Sequence, residues 1–89
     1  MITTSRYASL KTRTLAKSMA DENGEIYVAR GKKTIDALAA YARRVGEGRI
    51  TLIEEKGGIA HTLALIDVDA RGGWSWTEER LLKIAEKDS

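Results

Sequence analysis

The chain opens on a short β-branched run, Ile2-Thr3-Thr4-Ser5, which reads as a first strand. After Ser9, a good helix N-cap, Thr12, Leu15, Ala16 and Met19 recur at i, i+3, i+4 and i+7. That stripe predicts a helix running to about Ala20, with Lys11, Arg13 and Lys17 off its apolar face. Asp21-Glu22-Asn23-Gly24 reads as the turn that ends it, and Ile26-Tyr27-Val28 as a second strand. Thr34 then caps a second helix whose apolar positions are Ile35, Leu38, Ala39, Ala42 and Val45, terminated by Gly46 and Gly48. Ile50–Ile53 and Thr62–Val68 alternate as strands, and the paired glycines Gly57-Gly58 between them suit an antiparallel hairpin. A last helix is expected from about Thr77 to Lys87, started either by a Ser75/Glu78 capping box or by Thr77 with Trp76 stapled onto Leu81.

The predicted order is therefore βαβαββα. A strand, helix and strand repeated once favours right-handed parallel crossovers, and the hairpin adds an antiparallel member. The expected fold is α/β, a four-stranded mixed sheet with three helices. At 89 residues the chain has room for one domain, 1–89. Its 43% hydrophobic and 31% charged residues make the chain too apolar to be disordered, and no apolar run is long enough for a membrane span. The first residues lack the apolar core of a signal peptide, so a cytoplasmic location with no membrane partner is expected.

Charge changes the picture once it is divided along the chain. Residues 1–49 hold ten Lys and Arg against five acids, a net of +5, whereas residues 50–89 hold five against eight, a net of −3. A basic half on an acidic remainder points to a polyanion-binding face. The cations fall in two groups: Arg6, Lys11, Arg13 and Lys17 around the first helix, and Arg30, Lys32 and Lys33 with Gly31 before the second. Both groups follow strands expected to be parallel, so both belong at the carboxyl edge of the sheet, where open α/β sheets bind ligands. Lys32 and Lys33 also stand at a helix start, where the macrodipole disfavours cations and favours a bound anion. Arg43-Arg44, near the end of the second helix, need no such explanation, because cations there complement the dipole.

Catalytic chemistry finds little support. The chain has no Cys, which removes thiolate nucleophiles, thiolate metal sites and disulfides. His61 is the sole histidine and has no second His to build a zinc site. Asp67 and Asp69 share one face of a strand end, but no third ligand or phosphate cradle accompanies them. Gly31-Lys32-Lys33-Thr34 resembles the end of a Walker A loop only superficially, since Ile26 stands where its first glycine belongs and Lys33 where its Ser or Thr belongs. No enzyme, cofactor or metal is expected. Among RNA modules, the absence of Phe argues against an RNA-recognition motif, and no glycine pair fits a KH clamp. Trp74 and Trp76 are candidates either for stacking or for packing a terminal helix or an interface.

Several of these residues resemble a family. Thr3-Thr4-Ser5-Arg6, then Ser9, Lys11-Thr12-Arg13 and Leu15, then Tyr27-Val28-Ala29-Arg30-Gly31-Lys32, then Ile50-Thr51-Leu52-Ile53-Glu54, resemble the N-terminal half of an archaeal Brix-domain protein over about residues 2–55. The resemblance implies a half-Brix domain, similar to the anticodon-binding domain of class II aminoacyl-tRNA synthetases. It also implies a non-enzymatic role in ribosome biogenesis, with ribosomal RNA or its precursor and ribosomal proteins as partners. Ser5, Arg6, Thr12, Arg13, Arg30, Gly31 and Lys32 occupy the matching motif positions. With the basic residues read above, the expected RNA-binding set is Arg6, Lys11, Arg13, Lys17, Arg30, Gly31, Lys32 and Lys33. The alternative is a protein-interaction module that forms a homodimer, or docks a ribosomal protein, through the Trp74/Trp76 helix or the strand Thr62–Val68.

Overall fold

In the computed structural model, which describes residues 1–71 and 73–82, the elements run β1 (Ile2–Thr4), α1 (Leu10–Asn23), α2 (Ile35–Arg44), β2 (Arg49–Lys56), β3 (Ile59–Val68) and β4 (Trp74–Leu81). The strands form one mixed sheet in the order β1-β2-β3-β4, with β1 parallel to β2 and the remaining pairs antiparallel. The first two expected helices begin at their expected caps. The Ser9 side chain accepts from the Thr12 amide and the Thr34 side chain from the Ala37 amide, satisfying amides that a helix start leaves free. Thr12, Ala16 and Ala20 of α1 and Leu38, Ala39 and Ala42 of α2 are buried, while Val45, placed on the second stripe, lies past the end of α2 and is exposed. Gly57 and Gly58 turn the β2–β3 hairpin with φ of 61° and 80°, a left-handed pair that side chains disfavour.

The third expected helix is overturned. Trp74–Leu81 is strand β4, paired antiparallel with β3 from Val68↔Trp74 to Thr62↔Leu81, Leu82 follows it, and the part of that expected helix from 83 on lies outside the described residues. The Glu-Glu-Arg-Leu-Leu run has good intrinsic helix propensity, but β3 offers a ten-residue ladder whose outer groups need partners. Pairing prevails, with a register shift between Leu65 and Ile66. Because β4 covers it, Thr62–Val68 is an inner strand and no edge.

Ile26-Tyr27-Val28 is also shorter than expected. It forms a single parallel bridge, Tyr27 with Ile2, closed by Ile2 N–H to Ile26 O at 2.8 Å and Val28 N–H to Ile2 O at 2.9 Å. β1 has only three residues, which leaves room for little more. The order is thus βααβββ, with two helices.

Two apolar clusters hold the layers together. Met1, Leu38, Ala42, Ile50 and Ile66 pack around α2, whereas Ile2, Ala16, Ala20 and Ile53 pack around α1. Ile50 and Ile53 are three apart on one strand, so their side chains point to opposite faces. The helices therefore cover the two faces of the sheet. β1 is the pivot: the chain leaves it through α1 to the Tyr27 bridge on one side and returns through α2 to β2 on the other.

Candidate nucleic-acid interface

A sheet wound in both directions from one strand leaves a crevice at that strand's carboxyl end, because the two crossovers diverge to opposite faces. Here the crevice is an open cleft of about 410 Å³ lined by Thr4, Tyr7, Ala8, Arg13, Ala29, Arg30, Gly31 and Lys32. Its walls are the loop from β1 to α1 and the loop from the Tyr27 bridge to α2. Arg30 ties them together: its guanidinium donates to Thr4 O at 3.0 Å from one nitrogen and to Lys33 O at 2.8 Å from another. Gly31 turns the second loop at φ 53°, in the left-handed region. Arg6 reaches across to Lys32 O at 3.4 Å, and the Lys33 ammonium donates to Ala29 O at 3.1 Å.

These contacts hold cations close to one another. Burial first, and then the charge of Arg6, pull the Arg30 guanidinium below its ordinary value. Among the described residues no carboxylate forms an ion pair with Arg6, Arg13, Arg30 or Lys32. At the other end of the strands the charges are matched. The Met1 ammonium lies 3.0 Å from both Glu25 and Glu47, and Arg49 lies 3.1 Å from Asp67.

Of the eight residues chosen from the sequence, Arg13, Arg30, Gly31 and Lys32 line the cleft, and Arg6 joins it through Lys32. Lys33 is turned onto Ala29 O. Lys17 sits 5.7 Å over the Tyr27 ring, and Lys11 lines a separate groove with Thr12, Leu15, Gly58, Ile59 and Ala60. Two features escaped the sequence reading. Glu55, at the end of β2, accepts from Ser9 N–H at 2.9 Å, Ser9 Oγ at 2.8 Å and Thr12 Oγ1 at 2.5 Å, fixing the start of α1 from a strand 46 residues distant. These hydrogen bonds, Thr12's above all, hold its carboxyl below the ordinary value. Tyr7 is the second: it turns the β1–α1 loop at φ 59°, the one non-glycine positive φ among the described residues. A bulky side chain there costs about 1–2 kcal/mol, and the residue remains 85% exposed. The sequence signal for Tyr7 was its isolation from every apolar stripe.

Asp67, Asp69 and Trp74, away from the cleft, have structural work. Asp69 Oδ1 accepts from Arg71 N–H at 2.8 Å and Gly73 N–H at 2.9 Å, while Asp67 pairs with Arg49. Trp74 packs against the α2 cluster and donates Nε1–H to Asp36 at 2.5 Å. No helix of the described residues is long and apolar enough to cross a membrane.

Two solved structures share this architecture. An archaeal Imp4-like protein, Mil, superimposes with a TM-score of 0.70 and 29% identity, over 82% of this chain and 45% of that one. A probable ribosomal biogenesis protein from Aeropyrum pernix K1 superimposes with a TM-score of 0.83 and 24% identity, over 92% of this chain and 46% of that one. No protein-family model and no curated protein matches the chain. The likeness to archaeal Imp4-like, Brix-type proteins therefore stands in three dimensions, and the chain spans about half the length of the solved structures it matches.

Proposed function

We propose, from that likeness to archaeal Imp4-like proteins, that the chain is a non-enzymatic RNA-binding factor of ribosome biogenesis. Its ligand is ribosomal RNA or its precursor, with ribosomal proteins as further partners. The observation that carries the proposal is the unmatched cationic cleft at the carboxyl end of β1. Arg6 and Arg30 repel each other there, and a phosphate between them and Arg13 and Lys32 converts repulsion into charge-assisted hydrogen bonds. Lys11, Lys17 and Lys33 lie outside this centre and add long-range attraction. Electrophoretic mobility shift with ribosomal RNA fragments tests the reading. Arg13→Glu and Lys32→Glu are each expected to weaken binding while leaving the circular-dichroism spectrum unchanged, because both side chains are exposed. Undiminished binding by both variants would move the site elsewhere.

A second reading has its own observation. Among the described residues β4 is the outer strand of the sheet and leaves Trp76 53% and Leu81 66% exposed, which suits strand-to-strand docking of a second copy of the chain.

A further inference from the structure

Among the described residues nothing in the fold explains Tyr7. Its ring belongs to neither apolar cluster, it is 85% exposed, and its backbone occupies a conformation that Gly or Asn adopts more readily. Folding gains little from an aromatic side chain so placed. What the position does provide is a flat apolar face on the wall of the cleft, beside the small side chains of Ala8 and Ala29 and within the group formed by Arg13, Arg30 and Lys32. An exposed ring next to unmatched guanidinium and ammonium groups is the arrangement by which proteins hold single strands, with phosphates on the cations and a base on the ring. Arg30 and Gly31 stiffen the opposite wall of the cleft that Tyr7 lines.

We infer that Tyr7 is a stacking platform for an unpaired RNA base, and that the cleft consequently selects single-stranded over duplex RNA. In a duplex both faces of each base are already covered by neighbours, which leaves nothing for the ring to stack on. The inference rests on the RNA-binding reading above, and the experiment separates the two.

Fluorescence anisotropy with a labelled ten-nucleotide single strand from ribosomal RNA, and with the same strand annealed to its complement, provides the test. Tyr7→Ala is expected to weaken single-strand binding by about 5- to 100-fold, the range of a lost base–aromatic stack. The salt slope should stay unchanged, because no phosphate contact is removed. Tyr7→Phe retains the ring and is expected to bind as the parent does, and an unchanged circular-dichroism spectrum of Tyr7→Ala excludes loss of fold as the cause. Arg13→Glu, in contrast, is expected to reduce the salt slope. If the parent binds with steep salt dependence and Tyr7→Ala binds equally well, or if duplex is preferred, the stacking role is wrong and the RNA reading survives. If the parent binds neither probe, both fall.

Discussion

Thr3 lies fully buried on β1, and its hydroxyl finds no hydrogen-bond partner among the described residues. An unsatisfied buried hydroxyl costs about 1–3 kcal/mol, whereas an apolar group of the same shape costs nothing there. Thr3→Val is therefore expected to raise stability by about 1 kcal/mol in urea unfolding, and a loss would show that the hydroxyl is satisfied after all. Glu55 is the opposite case, a carboxylate with donors converging on it. Its folded pKa lies below the unfolded one, so its contribution is complete above the ordinary carboxylate value and is lost as pH falls through the folded value. Glu55→Gln should cost about 1 kcal/mol at neutral pH, with the gap to the parent closing in acid. Glu54 works in the other sense. Burial, then the charge of Glu79 and a hydrogen bond to it, raise its pKa, so that whatever it contributes is lost as pH rises. A Glu55→Gln deficit that persists unchanged at low pH would contradict the assignment of these bonds to the ionised form.

Among the elements, those specified by local chemistry were legible. Ser9 and Thr34 announce helices because a cap acts within three residues, and Gly57-Gly58 announces a hairpin because the turn itself needs positive φ. β4 was illegible for the converse reason. Ser75-Trp76-Thr77-Glu78 satisfies a capping box on paper, and only β3, distant in space until the sheet forms, decides for a strand. Ile26-Tyr27-Val28 was expected as a full strand and forms a single bridge, since the shortness of β1 sets its extent. The edge left by β4 carries its own expectation. If a second copy docks there, sedimentation equilibrium should give twice the single-chain mass, and Trp76→Ala should lower it in a still-folded protein. A single-chain mass at high concentration would dismiss the docking.

For the whole molecule, the organising feature is the separation of matched from unmatched charge along the strands. Residue types alone marked the basic residues as a set. They did not show that Arg30 and Lys33 spend donors on Thr4, Lys33 and Ala29 carbonyls, because those carbonyls are positioned by turns rather than by sequence neighbours. Nor did they separate Arg13, which lines the cleft, from Lys11 and Lys17 on the same helix. The crevice itself follows from the pivot at β1, a property of the chain's path that residue types do not carry, although both basic groups were expected at one edge of the sheet. The most direct measurement of the account is the salt dependence of binding to a ribosomal RNA fragment. With about 3–5 phosphates engaged at the cleft and its surroundings, the log–log slope is expected near −2 to −4 and should flatten in Arg13→Glu. A slope near zero in the parent protein, or no binding at low salt, would contradict the claim that this cleft is an RNA site.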